Sequence, residues 1–214
     1  MDVDEAGWID GHGTTLPGTM VPMSDLYLST DPAADALLAE NPFALLTGML
    51  LDQQVSMESA FAGPAKLAER LGGYSPAVVA DMDPEAFLAA FREKPAVHRF
   101  PKSMAERVQK LAAAICADYD GDAAAIWTAG DPDGPDVLRR LRALPGFGEQ
   151  KAQIFLALLG KQFGLAADGW RAAAGEYGDA AARLSIADVV DEHTLTEVRE
   201  TKKARKAAAK ARKQ

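Results

Sequence analysis

Residues 144–155 read LPGFGEQKAQIF. Pro145 stiffens the approach to a bend, while Gly146 and Gly148 permit positive φ and let another molecule's backbone come close. A helix starting directly after the bend leaves its first N–H groups unpaired. With the glycine amides they form a small anion-binding nest, and the positive end of the helix suits a phosphate. The alternative is an ordinary tight helix–helix turn. Two side chains that could act follow at once, Gln150 and Lys151, about 100° apart around a helix. Lys151 reads as a phosphate contact or a solvated surface group. Asp168 lies eighteen positions beyond Gln150, after the apolar run FGLAA. An ionised carboxylate there is costly unless it is paired or hydrogen-bonded. It could stabilise developing positive charge, and it could equally cap the short segment GWRAAAG.

Other reactive types are sparse. His12, His98 and His193 show no metal-ligand spacing, so no metal role is assigned to them. Cys116 is the single cysteine, which excludes an intrachain disulfide, a four-cysteine iron–sulfur cluster and a cysteine-based zinc finger. The segment KPAVHRFPK gathers Lys94, His98, Arg99 and Lys102 as a DNA contact or a solvated loop. Trp127, Trp170, Tyr177 and Phe147 could stack on a base or fill a core.

The elements that must position these groups are nearly all helical. FALLTGMLL (43–51) is apolar enough for a central buried helix. Ser75–Pro76 and Asp83–Pro84 each pair an N-cap residue with a first helical proline. Ser103 and Glu106 have the spacing of a capping box, followed by Val108, Leu111, Ala112 and Ile115 on one face. The linker 128–136 precedes DVLRRLRAL. No alternating strand pattern occurs, so the expected class is all-α. Residues 1–22 lack periodicity and are expected to be a mobile leader. Residues 23–200 form the domain, in two lobes, and 201–214 a basic tail.

The net charge of −8 hides an asymmetry. The first 40 residues hold eight acidic groups and neither lysine nor arginine, whereas the last 14 hold seven basic groups and no acid. The tail could bind phosphates, since attraction depends on charge within about 10 Å, or simply keep a helix soluble. No apolar run reaches membrane-spanning length and no signal pattern begins the chain, so a cytoplasmic protein without a membrane partner is expected.

LRALPGFGEQKA resembles the helix-hairpin-helix of the DNA glycosylase superfamily that includes endonuclease III and 3-methyladenine DNA glycosylase. LLTGMLLDQQVS (45–56) resembles that family's buried helix and its glutamine-bearing turn, closest to the alkylbase branch. FPKSMAERVQKLAAAI resembles the helix before the hairpin. The likeness covers residues 35–170 and implies a two-lobed helical glycosylase fold. It also implies duplex DNA with a damaged base as partner, bound by a monomer in base excision repair. By this resemblance Gln53, Gln54, Leu144, Pro145, Gly146, Phe147, Gly148 and Lys151 contact DNA. Gln54 is the wedge that replaces the flipped base, although two glutamines could also be a polar helix cap. Asp168 is the catalytic acid. Gln150 stands where bifunctional members carry their nucleophilic lysine, so strand-cleaving lyase chemistry is not expected. The segment after Asp168 departs from the family's usual Thr and His. The family's iron–sulfur domain is absent from this reading. A monovalent cation could sit on the main-chain carbonyls of Arg142, Leu144 and Phe147.

Overall fold

A computed structural model describes residues 22, 23 and 25–211. The expected leader, apart from Pro22, lies outside these residues, as do the last three positions. Every regular element among the described residues is helical. In chain order these are α1 (Pro32–Glu40), α2 (Pro42–Leu51), α3 (Met57–Phe61), α4 (Gly63–Leu71), α5 (Pro76–Asp81), α6 (Pro84–Arg92) and α7 (Pro101–Tyr119). Then come α8 (Ala125–Thr128), α9 (Gly134–Ala143), α10 (Glu149–Gln162), α11 (Trp170–Ala173) and α12 (Glu192–Ala211). Two 3-10 turns, Gly175–Gly178 and Ile186–Asp188, lie between α11 and α12.

The central element is α2. Asn41 caps it by accepting the Ala44 N–H at 3.0 Å, and Pro42 presets its first turn. Every residue from Phe43 to Leu51 is buried, as an all-apolar helix requires. Around it pack α1, α3, α4 and α7, and α5 and α6 lean on α7. The second group is built on α10, against α9, α11 and both 3-10 turns. One continuous apolar core joins the two groups, with Phe155 of α10 meeting Trp127 and Phe147.

Ser75 and Asp83 cap α5 and α6 as their sequence suggests. At α7 the expectation is corrected. The helix begins at Pro101, with Phe100 as N-cap, and Ser103 lies inside the first turn. The fixed φ of proline at the first helical position decides the start there, ahead of the Ser–Glu pair. The basic segment from residue 201 to 211 continues α12 without a break.

Candidate active site

The hairpin forms where the sequence places it. Leu144 and Phe147 turn their side chains into the core, at 4% and 3% exposure, and Phe147 N–H closes the turn on Leu144 O at 3.1 Å. Both residues are buried as a whole and anchor the loop. Gly146 sits at φ +87°, a conformation that favours glycine, and a Cβ there would press Leu50 Cδ1 at 3.2 Å. The bend thus rests on the C-terminal end of α2. Gly148 differs. Its φ is −78°, open to any residue, and among the described residues a Cβ there would meet nothing within 4 Å. It is the N-cap of α10 and offers no side chain to the helix's first amides.

The glutamine turn follows α2 directly. Gln53 is tied on three sides. Its Nε2 donates to Leu50 O at 2.6 Å, its Oε1 accepts from Arg107 at 2.8 Å, and its carbonyl meets His98 Nε2 at 3.0 Å. Gln54 is exposed and held at φ +58°, a conformation that costs a non-glycine residue about 1 kcal/mol or more. A strained, outward-pointing side chain on a braced turn is the arrangement a wedge requires. His98 is 3% exposed. Its Nδ1 accepts the Phe100 N–H at 3.1 Å, so the proton resides on Nε2 and is donated to Gln53. Burial pushes its pKa below the ordinary value. The solvated-loop reading of His98 is therefore corrected.

Lys151 is not solvated. Its ammonium bonds the carbonyls of Met49, Leu50 at 3.3 Å and Asp52 at 3.5 Å, at the C-terminal end of α2. Desolvation lowers its pKa to about 8. Its donors close the end of a helix, which corrects the solvated-surface reading. Gln150, one residue earlier, is exposed and donates to the Tyr177 hydroxyl at 2.8 Å.

Asp168 is elsewhere. Its carbonyl accepts the Gly134 N–H at 2.7 Å, at the beginning of α9, and the hairpin follows the end of α9. Two residues on, the Trp170 ring lies against Gly160, near the far end of α10. Gln150 and Gly160 are ten positions apart in one helix, about 15 Å. Asp168 is exposed rather than set in an apolar pocket, and Gly169 at φ +71° is the N-cap of α11. The structure brings together the hairpin, the glutamine turn, Gln150 and Lys151, and leaves Asp168 apart. The chain reverses along α10 from Trp170, so it reaches Gln150 only at Tyr177.

The profile of the HhH-GPD superfamily base excision DNA repair proteins matches residues 47–214. The chain belongs to that superfamily. A search of curated proteins gives no match. The HhH-GPD match begins within α2 and runs through the glutamine turn, the hairpin and α12, so it spans the residues assembled above. The all-α architecture agrees with it. Among the described residues no group of three or more His, Cys, Asp or Glu side chains could hold a metal ion. At the hairpin, Leu144 O already accepts one hydrogen bond, and a carbonyl oxygen has a second lone pair.

Proposed function

We propose that this HhH-GPD protein is a monofunctional DNA glycosylase, a monomer that works on chromosomal DNA in the cytoplasm. It hydrolyses the N-glycosidic bond of a damaged base flipped from the duplex. The observation that carries the reading is Gly148. Its backbone needs no glycine and, among the described residues, nothing fills the space beside it, so the missing side chain keeps the α10 amides open to a phosphate. The strained Gln54 turn, braced from below by His98 and Arg107, is the wedge beside that seat. Flipping costs a few kcal/mol, which a wedge offsets by filling the vacated stack.

Gln150 has no nucleophilic amine, and Lys151 is engaged on the end of α2. Water is therefore the acceptor of the sugar, and an abasic site is the product. Alkylated purine is the first substrate to test, because the turn reads QQVS. Main-chain oxygens of Arg142, Leu144 and Phe147 would hold a monovalent cation, whose positive charge would neutralise part of the phosphate's.

Incubation with duplexes carrying single lesions, followed by alkali, reveals abasic product. Product from one lesion class supports the enzyme. Tight binding of every duplex without product favours a non-catalytic DNA-binding protein, a reading that the remoteness of Asp168 from the hairpin motivates.

A further inference from the structure

The hairpin, the wedge turn and Lys151 converge on the last turn of α2. Gly146 sits on Leu50, Lys151 holds the carbonyls of residues 49, 50 and 52, and Gln54 is two positions beyond Asp52. A sugar whose phosphate occupies the hairpin and whose base is replaced by Gln54 must lie over this turn. A carboxylate is needed there, and the converging elements and their neighbours carry several acidic residues. Glu149 is paired with Arg142 at 2.8 Å, and Glu176 is doubly bonded to Arg205. Glu58 gives one oxygen to Arg199, and its other oxygen is fully buried. Asp52 is half-buried, and among the described residues its carboxylate accepts no hydrogen bond and joins no ion pair.

We infer that Asp52 is the carboxylate that faces the anomeric carbon and supports base release. This deepens the glycosylase reading and rests on it. The groups around Asp52 fit the role. Burial raises its pKa and Glu58 adds to that, while the Lys202 and Lys151 ammonium groups oppose it. A carboxylate so withdrawn from water attracts a developing cationic sugar more strongly than a solvated one would. In the reaction the C1′–N bond breaks and its electron pair leaves with the base, which gains a proton from solvent. The sugar becomes an oxocarbenium ion beside Asp52. Water adds its oxygen to C1′ and gives up one proton to the Asp52 carboxylate, and from there to solvent. One water is consumed, and the abasic sugar and free base are formed.

The test compares wild type, Asp52→Asn, Asp52→Glu and Asp168→Asn. Each is measured for binding to duplexes bearing a neutral tetrahydrofuran abasic site or a cationic pyrrolidine in its place, and for turnover on lesion duplexes. A carboxylate facing C1′ makes wild type prefer the cation by 10-fold or more. Asp52→Asn should abolish that preference, with tetrahydrofuran affinity and melting temperature retained. Asp52→Glu should restore part of it, and Asp168→Asn should leave it intact. Preference kept in Asp52→Asn and lost in Asp168→Asn overturns the assignment and leaves the glycosylase reading standing. Abasic binding without any charge preference in wild type does the same. No preference of wild type for abasic over intact duplex overturns both.

Discussion

His98 Nε2 lies 3.0 Å from the main-chain carbonyl of Gln53, across 45 residues of sequence, and so ties the loop before α7 to the turn after α2. The bond braces the turn that carries Gln54. His98→Ala leaves that carbonyl and the Phe100 N–H without their partner, costing about 2 kcal/mol. Chemical denaturation should read that loss, and lesion-duplex binding should weaken with it.

The same imidazole makes stability pH-dependent. Its folded pKa is lowered by burial, and the Nδ1 acceptor role exists only in the neutral form. An unfolded histidine titrates near pH 6.5. With the folded value below that, the contribution is fully present above about pH 6.5 and is lost as pH falls through the folded pKa. Melting curves of wild type and His98→Phe should therefore converge between pH 8 and pH 5. A difference that widens on acidification contradicts the tautomer assigned here.

Much of this arrangement was legible in the sequence, and the remainder was not for identifiable reasons. Asn41–Pro42, Ser75–Pro76 and Asp83–Pro84 act through neighbours in sequence, so capping reads directly. The all-apolar run of α2 and the Pro-Gly-x-Gly bend are likewise local. Lys151 misled because the direction of one helical face depends on what packs there, here the carbonyls of residues about 100 positions away. The position of Asp168 was not legible because a residue count does not give the path of the chain. α10 runs on to Gln162, and the chain has not yet returned along it when Asp168 is reached. His98 carried no signal beyond a lone histidine among basic residues.

The two hairpin glycines should separate stability from binding. Gly146→Ala forces a Cβ into a positive-φ conformation against Leu50, and should cost about 1–2 kcal/mol. Gly148→Ala has an ordinary φ and free space, so its melting temperature should match wild type while DNA affinity falls several-fold. Thermal melts paired with fluorescence anisotropy on one duplex check both. An unaltered affinity for Gly148→Ala removes the phosphate seat from that position.

Gln54→Gly tests the wedge through opposite effects on folding and function. Glycine accepts φ +58° without strain, so stability should hold or rise by up to about 1 kcal/mol. Activity on a lesion paired within a duplex should fall at least tenfold, because nothing then fills the vacated stack. On the same lesion in a single strand, where no duplex stack has to be refilled, the fall should be much smaller. Equal losses on the two substrates would assign Gln54 a role other than replacing the base.

The end of α12 should contribute to DNA affinity and little to the fold. Its buried residues, Thr194, Leu195 and Val198, all precede residue 199, and from 202 to 211 every residue is exposed. What holds this stretch down is the Arg205–Glu176 pair at 2.8 Å, with both side chains about half exposed, an interaction that salt screens. Removing residues 203–214 deletes Lys203, Arg205, Lys206, Lys210, Arg212 and Lys213 but keeps Lys202 beside Asp52. The melting temperature should stay within error of wild type. For every phosphate that the shortened chain no longer neutralises, the slope of log affinity against log salt should become shallower by roughly 0.9. A shortened chain with a shallower slope and unaltered discrimination between lesion and intact duplex places this helix on the phosphate backbone. A slope identical to wild type would mean that its charges only solvate it.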